Sequence, residues 1–434
     1  MWRFLYQALL LAAWPWVHVR LRWRARREPE YRERIGERFG RLPASVRAGP
    51  VWFHTVSAGE TIAAAPLIGA LGDRFPGTAW LVTTMTPTGS AQVRARLGDR
   101  VDHCYAPYDF PWAVRRFFER VRPRLLVLME TELWPNLIAE AARRDVPVLL
   151  VNARLSERSA RGYGRLGGLV RAMLGRIRVI ACQYPDHARR FVALGAAPER
   201  VRVLGSVKFD VALPADHGER VAALAQRWGL AGSPVWIATS THPGEESLVL
   251  AAHERIRAAL PGTRLVLVPR HPARADEVAA LCRQHGLGVA RQSAPAAGDT
   301  GADVLLGDVM GELLYLYGLA AAAFVGGSLV PTGGHNPIEP AVCGVPVAMG
   351  PHVFNFPDVV ELFRDADGLA GVTSAAELAD RVAGWLRNPD AARAAGQRAA
   401  GVVARHRGAS ARLETLLAGE IEAVSTIGRE APGG

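Results

Sequence analysis

Cysteine and lysine are both scarce in this 434-residue sequence, and both shortages are informative. The four cysteines, Cys104, Cys182, Cys282 and Cys343, include no CxxC or zinc-type spacing. The lack of such spacing favours buried, reduced thiols in a reducing compartment. Walker A, GxGxxG and HExxH motifs are also missing from suitable contexts. We therefore expect no metal and no cofactor.

The positive charge is concentrated at the N-terminus. The 52 Lys plus Arg exceed the 41 Asp plus Glu by 11, and residues 1–42 alone hold ten Arg against four Glu, or +6. A nucleic-acid-binding protein more often spreads its charge along a face with interleaved aromatic residues. This charge instead follows an apolar segment, so the sequence favours an anionic membrane surface as partner and no nucleic acid.

That apolar segment runs from Phe4 to Val19, interrupted by Pro15. It is shorter than the roughly 20 residues that span a bilayer. Tryptophans flank it, and Arg20, Arg22, Arg24, Arg26 and Arg27 follow it directly. This order favours an interfacial or barely spanning anchor that keeps the globular part cytoplasmic, rather than a cleaved signal peptide. A buried amphipathic core helix is the structural alternative.

From residue 50 onward, short apolar runs alternate with helical stretches, which predicts parallel sheets covered on both faces. Expected strands begin near residues 51, 80, 125, 146, 179, 201, 235, 265, 322 and 345. The pattern predicts a membrane anchor at 1–42, a Rossmann-like domain at 43–210 and a linker at 211–232. The pattern also predicts a second Rossmann-like domain at 233–410 and a C-terminal helix with a tail at 411–434. The fold class is α/β, with two doubly wound domains facing a cleft.

The two halves open alike. Val51–Glu60 and Val235–Glu245 each contain an apolar strand, a hydroxyl-bearing turn and a Gly-Glu pair at a helix start. Ligands of open α/β sheets bind beyond the carboxyl ends of the strands, so we expect the chemistry there. Glu60 is placed to act as a general base. A glutamate that merely complements the helix dipole is the alternative.

Two further candidates lie in the first half. Glu130 follows an apolar strand directly, and Glu132 lies two residues later. Two charged groups at the end of a buried strand indicate either a charged partner or a functional role. A structural pair with Arg154 or Arg158 is the alternative to a functional role. Lys208 is the single lysine among 52 basic residues. Arg and Lys differ in shape and hydration. A single lysine in a sequence that otherwise uses arginine therefore indicates a position that needs a compact positive charge, to bind a phosphate or carboxylate.

The second half contains three candidate segments for a phosphate or nucleotide. Pro269 ends a strand, and Arg270 after it is placed to bind phosphate. Met310, Gly311 and Glu312 should open a helix whose backbone N–H groups can hold an anion. Asn336 is expected to cap a helix that begins at Pro337 and has Ile338 and Glu339 in its first turn. The Glu339 carboxylate could there accept hydrogen bonds from ribose hydroxyls. Asp365 and Asp367 form a DxD that is typical of a solvated loop.

Many of these motifs, in this order, resemble the 3-deoxy-D-manno-octulosonic acid (Kdo) transferases of lipopolysaccharide assembly. The matching segments are 34–40, 57–60, 83–90, 129–136, 152–156, 205–210, 240–242, 269–272, 310–313 and 333–339. The resemblance extends from residue 1 to about residue 410.

The resemblance implies a GT-B fold, a CMP-Kdo donor, a lipid A precursor (lipid IVA) as acceptor, and inverting transfer without a metal. It implies that Glu60 is the general base and that Glu130 and Lys208 stabilise the transition state. It assigns CMP to Pro269–Arg270, Met310–Glu312 and Asn336–Glu339, and the protein to the cytoplasmic face of the inner membrane. Two other functions stay open: a lipid-directed GT-B transferase using a UDP-sugar, and a non-catalytic, membrane-bound sugar-nucleotide-binding protein.

Overall fold

A computed structural model describes residues 2–26, 28–294 and 299–427. Arg27 of the expected basic cluster and residues 428–434 of the expected tail lie outside these ranges. The chain forms two compact units. The first comprises the chain up to Asp210 together with the chain from Gly408 onward, and the second comprises Val211–Arg407.

The first unit is built around a seven-stranded parallel sheet. Its strands are β1 Val51–His54, β2 Trp80–Thr84, β3 Asp102–Tyr105, β4 Leu125–Met129, β5 Val148–Ala153, β6 Val179–Cys182 and β7 Val201–Val203. Its helices before residue 210 are α1 Trp2–Arg24, α2 Ala58–Arg74, α3 Pro87–Leu97, α4 Pro111–Val121, α5 Pro135–Arg143, α6 Glu157–Gly164, α7 Gly167–Leu174 and α8 Pro185–Ala193.

The strand order in this sheet is β3-β2-β1-β4-β5-β6-β7. Alternate side chains of β1 enter different cores, Trp52 on one face and Val51 and Phe53 on the other. Both faces are therefore buried, as the continuous apolar runs predicted. The chain direction across the sheet reverses between β1 and β4, so the ends of these strands form the crevice where ligands bind in such folds.

The second unit repeats this plan. Its strands are β8 Val235–Thr241, β9 Arg264–Pro269, β10 Val289–Arg291, β11 Val304–Leu306, β12 Ala322–Val325, β13 Val347–Met349 and β14 Leu369–Gly371. They are parallel, in the order β10-β11-β9-β8-β12-β13-β14. Its helices are α9 His217–Arg227, α10 Glu245–Ala259, α11 Ala275–Gln284, α12 Leu313–Tyr317, α13 Ile338–Val342, α14 Pro357–Asp365, α15 Ala375–Arg387 and α16 Pro389–His406.

The unit boundaries differ from the expected domain boundaries at two places. The expected linker at 211–232 contains α9 and belongs to the second unit, because Leu224, Trp228 and Leu230 are buried in that unit's core. The chain returns to the first unit at Gly408 and forms α17, Ala409–Ile427. Leu413, Leu417, Ala418 and Ile421 of α17 are buried there.

The carboxylate of Asp210 binds the segment where the chain re-enters the first unit. Asp210 accepts hydrogen bonds from the backbone N–H groups of Gly408 and Ser410, both at 2.6 Å. Residues 210 and 408 are therefore adjacent in the first unit, although nearly half the chain separates them in sequence.

The N-terminal helix α1 packs against the first unit along one side. Tyr6 donates its hydroxyl to the Asp109 carboxylate at 2.9 Å, and Trp14 contacts the rings of Phe39 and Phe110. The other side exposes apolar side chains, among them Phe4 (78%) and Trp16 (74%). No helix among the described residues is long and apolar enough to cross a membrane.

Glu245, at the start of α10, organises the loop after β12. Its carboxylate is fully buried and accepts backbone N–H groups from Gly327 (2.6 Å), Ser328 (3.0 Å) and Leu329 (2.9 Å). A Cβ atom on Gly326 would lie 2.7 Å from Glu245 Oε2. The glycine therefore lets the loop approach the carboxylate.

We predict that Glu245→Gln lowers the thermal stability of the full-length protein. The amide would turn an NH2 group toward backbone N–H donors and leave buried groups unpaired, at a cost of about 2–4 kcal/mol. The Tm, measured by differential scanning calorimetry, should fall by at least about 5 °C. Glu361→Gln, at an exposed position of the same unit, is the control and should change the Tm little. Equal Tm values for the two variants would contradict this role.

Candidate active site

Glu60 lies at the start of α2, beside the point where the first sheet reverses direction. Ser57 caps the helix by accepting the Glu60 N–H at 3.3 Å. In return, the Glu60 carboxylate accepts the backbone N–H of Val56 (2.9 Å) and the hydroxyl of Ser57 (2.8 Å). This is a variant of the capping box, and it holds the carboxylate in one orientation.

Burial makes this carboxylate unusual among helix caps. Glu60 is only 7% exposed, and its burial raises the pKa to about 8. The negative charges of Glu132 and Glu130 raise the pKa further, while the hydrogen bonds from Val56 and Ser57 oppose the rise. A carboxylate with a pKa near the working pH is suited to accept a proton from a hydroxyl group.

Glu130 directly follows β4, on the other side of the same crevice. Its φ of +53° is unusual for a residue with a side chain and costs on the order of 1–3 kcal/mol. Arg154 Nε lies 3.3 Å from Glu130 Oε2, so the structural pair considered from the sequence is formed. The Glu130 side chain remains 18% exposed and can also face a substrate.

Glu132 is a neighbouring carboxylate for which the sequence suggested no separate role. Trp134 donates its ring N–H to Glu132 Oε2 at 2.8 Å, and burial raises the pKa of Glu132. Its negative charge acts on Glu60 more strongly than that of Glu130. The motif containing Glu132 was visible in the sequence, but this electrostatic role depends on the fold.

Lys208 lies in a short 3-10 turn, Val207–Phe209, beyond the end of β7. The side-chain oxygen of Asn152, at the end of β5, accepts the Val207 N–H at 3.4 Å. Asn152 is fully buried with a φ of +49°, and Phe209 is buried behind the turn. The half-buried Lys208 is thereby fixed at the carboxyl end of the same sheet as Glu60 and Glu130.

In the second unit, Pro269 ends β9 and Arg270 follows it with an exposed side chain. Two histidines lie beside this strand end: His242 Nε2 is 2.8 Å from His335 Nε2, and the rings stack with centroids 5.1 Å apart. Burial is the main cause that lowers the pKa of His335 to about 4, and the positive charge of Arg270 adds to the effect. Sequence reasoning assigned no role to these histidines, because only the fold brings residues 242 and 335 together.

Met310, Gly311 and Glu312 precede α12, which begins at Leu313 rather than within the tripeptide. Gly311 has a φ of +86° and Met310 is 73% exposed. Glu312 Oε2 lies 3.4 Å from Arg220 Nη2. The segment therefore forms a turn ahead of the helix, whereas the sequence suggested its first turn.

Asn336 lies one residue before the N-cap of the following short helix, which is Pro337, so the predicted cap position is wrong by one residue. Its side-chain oxygen accepts the Ile338 N–H at 3.1 Å, and its amide donates to Glu339 Oε1 at 3.3 Å. The helix α13 begins at Ile338, one residue later than expected, while Pro337 already has helical backbone angles. Burial raises the pKa of Glu339, and the positive charge of Arg270 opposes the rise. The positive charge of Arg270 therefore acts on both His335 and Glu339.

Metal ligands are not grouped in the described parts of the chain. Residues 2–26, 28–294 and 299–427 contain no cluster of three or more His, Cys, Asp or Glu side chains that could hold an ion. Asp365 and Asp367 are exposed at the end of α14.

A polar crevice at the end of a parallel sheet is common to many enzymes, so similarity to known proteins is needed to identify the family. Residues 33–211 match the family model described as 3-Deoxy-D-manno-octulosonic-acid transferase (kdotransferase). A UDP-GlcNAc 2-epimerase from Neisseria meningitidis superposes with a TM-score of 0.57 at 15% identity, covering 85% of this chain and 99% of the epimerase. That likeness shows the fold alone, and it agrees with two Rossmann-like domains of the GT-B class.

The sequence relatives are more specific. The chain is 38% identical to a 3-deoxy-D-manno-octulosonic acid transferase of Haemophilus influenzae over 96% of this chain and 98% of the relative. It is 41% identical to the transferase of that name from Bordetella pertussis, over 87% of this chain and 89% of the relative. The chain therefore belongs to the family of 3-deoxy-D-manno-octulosonic acid (Kdo) transferases.

Proposed function

We propose that this Kdo transferase moves Kdo from CMP-Kdo to a lipid A precursor, lipid IVA, with inversion and without a metal. The observation that carries the proposal is the buried Glu60 carboxylate, held by two hydrogen bonds and raised in pKa to about 8. A single displacement at an anomeric carbon requires one base for the attacking hydroxyl, and Glu60 has the chemistry of that base.

In the proposed reaction, the acceptor hydroxyl oxygen attacks the anomeric carbon of Kdo while Glu60 takes its proton. The new C–O bond forms as the bond between that carbon and the phosphate oxygen of CMP breaks. CMP leaves with the electron pair as a phosphate monoester, and the anomeric configuration inverts. Glu130 and Lys208 stabilise the charge that develops in the transition state.

The second unit would hold the CMP part of the donor. Arg270 supplies a planar cation for the phosphate. The Pro269 carbonyl and the backbone of Met310–Glu312 supply further polar contacts, and Asn336–Glu339 place a carboxylate for the ribose hydroxyls. His242 and His335 add two ring nitrogens at the same strand ends.

The lipid acceptor favours a protein that works at the cytoplasmic face of the inner membrane. The exposed apolar side chains of α1, with Arg20, Arg22 and Arg24 at its end, suit the interface of an anionic bilayer. This association is peripheral in our proposal.

We predict that Glu60→Gln strongly lowers the rate of Kdo transfer without unfolding the protein. Glutamine keeps one oxygen for the cap but cannot accept the proton, and losing a general base lowers the rate by about 10²–10⁴-fold. The product from CMP-Kdo and lipid IVA would be read by mass spectrometry, with EDTA present in one arm and a UDP-sugar replacing the donor in another.

Glu377→Gln is a matched control for this experiment. Glu377 makes the same kind of cap at the start of α15, where it exchanges hydrogen bonds with Ser374 and Thr373, but it is exposed. It should retain transfer. Full activity of Glu60→Gln would contradict the assignment of the base, loss of product with EDTA would contradict metal independence, and transfer only from the UDP-sugar would contradict the donor.

The pH profile should report the ionisation of Glu60. Since the base must be ionised, kcat/KM should rise with pH through about 8. Glu132→Gln removes a neighbouring negative charge, so the ionised form of Glu60 becomes less costly and its pKa falls. The rising limb should therefore move to lower pH in Glu132→Gln and stay in place in Glu377→Gln. An unmoved limb in Glu132→Gln would mean that another group controls the profile.

We expect that arginine cannot replace lysine at position 208. We predict that Lys208→Arg lowers kcat by roughly tenfold or more, because a broad guanidinium cannot occupy the position of a compact ammonium. Lys208→Gln should lose at least as much. Steady-state kinetics would measure both, and a Lys208→Arg enzyme with normal kcat would show that any cation suffices.

A further inference from the structure

A cavity of about 220 Å³ lies in the first unit, between α1, the segment after it and the start of α3. No Asp or Glu lines it. The lining side chains that matter here are those of Arg20, Arg24, Tyr31, Met85, Thr86 and Tyr108. Two cations, two phenol rings and the N-cap residue of α3 thus surround one small space.

A third cation, Arg38, contacts the wall of this cavity from the protein interior. It is 1% exposed and donates from Nη1 to the Met85 carbonyl at 2.9 Å. Its guanidinium carbon lies 5.7 Å from the centre of the Tyr31 ring. Its Nε and Nη2 atoms are buried without a hydrogen-bond partner within the described chain. The guanidinium carbon also lies 3.9 Å from the centre of the Tyr105 ring, so Arg38 stacks on an aromatic face. Buried donors are normally satisfied, and these two nitrogens retain the capacity to bind an acceptor.

The three arginines are also not neutralised. Within the residues that the structure describes, Arg20, Arg24 and Arg38 make no ion pair. Glu37, the acidic neighbour of Arg38, is engaged elsewhere, with Arg34 Nε at 2.8 Å and the Tyr105 N–H at 2.8 Å. Burial raises the pKa of Tyr108, and the positive charges of all three arginines oppose that rise, so the three act on one point.

Two successive hydrogen bonds link the wall of the cavity to Glu60, the proposed base. Met85, in its wall, donates its N–H to the Val56 carbonyl at 3.0 Å, and Val56 donates its own N–H to Glu60 Oε2 at 2.9 Å. A ligand in the cavity would therefore lie near the carboxylate that we propose as the base for the acceptor hydroxyl. The exposed apolar side chains of α1 adjoin the same region.

We propose that this cavity binds a phosphate monoester carried by the acceptor's head group. Several guanidinium groups without carboxylate partners suit the three acceptor oxygens of a phosphate, which accept paired N–H donors. The helix dipole of α3 adds positive potential where Thr86 lines the cavity. This inference rests on the proposed function, because it assigns the phosphate to the molecule whose hydroxyl Glu60 deprotonates.

The test is a binding measurement on the full chain in detergent, without CMP-Kdo. Isothermal titration calorimetry would compare the deacylated diglucosamine bisphosphate head group with the same head group after phosphatase treatment. The site variant is Arg20→Gln with Arg24→Gln, both at exposed positions that should not disturb folding. The control is Arg22→Gln with Arg26→Gln, which removes the same charge from exposed positions of the same segment outside the cavity lining.

We expect the site variant to bind the bisphosphate about tenfold or more weakly than wild type, since bonds to charged groups are lost. The control should bind like wild type, and the dephosphorylated head group should not distinguish the three proteins. Equal weakening in both double variants would overturn the proposal in favour of general electrostatics. Inorganic phosphate binding as tightly as the head group would also overturn it, by making this a free-phosphate site.

This measurement separates the failure of the site from the failure of the proposed function. Binding that discriminates as expected, with no Kdo transfer to lipid IVA, would remove the proposed reaction and keep a phosphorylated-ligand site. Normal transfer with identical binding in all three proteins would keep the reaction and remove the phosphate site.

Discussion

A buried glutamate at the helix after the first strand of a sheet requires hydrogen-bond donors, and both units of this protein meet that constraint at the same topological position. Glu245 is fully buried and receives backbone N–H groups from the loop after β12 and from His242. Its charge is used to hold that loop together. Glu60 receives one backbone N–H and one hydroxyl, and two other carboxylates act on it. Burial raises the pKa of both carboxylates; backbone N–H groups oppose the rise at Glu245, whereas the negative charges of Glu132 and Glu130 add to it at Glu60. The same fold position therefore holds a loop together in one unit and, in our proposal, supplies the general base in the other.

The capping arrangement alone does not bury a carboxylate. Glu377 makes the same exchange of hydrogen bonds at the start of α15, yet it is exposed. What distinguishes Glu60 is its place where the strand order reverses, which buries the carboxylate and brings Glu130 and Glu132 close. The local sequence Ser57–Glu60 specifies the cap, and the topology of the sheet supplies the burial.

Much of the fold could be predicted because both sheets are buried on both faces, so their central strands are continuous apolar runs. The strands that were not predicted are β3, β10, β11 and β14, and three of these lie at sheet edges, where strands are short and more polar. Glu130 stood out because it follows a strand directly, Glu60 because it lies in a turn at a helix start, and Lys208 because it is the single lysine. The pairing of Glu130 with Arg154, the support of Lys208 by Asn152 and the unpartnered nitrogens of Arg38 depend on tertiary contacts that no local pattern encodes. Helices α12 and α13 begin slightly later than predicted because glycine and proline turns precede them.

The hydrogen bonds from Gly408 and Ser410 to Asp210 have a consequence for how the chain folds during synthesis. The second unit is an insertion within the first, and its own ends also meet, where Arg407 donates to the Val211 carbonyl at 2.6 Å. A ribosome therefore completes the whole second unit before it releases α17, the last helix of the first unit's core. Until then Leu413, Leu417 and Ile421 are missing from that core, and the apolar surface that they cover stays open to water. The first unit can therefore complete its core only after the second unit has been synthesised.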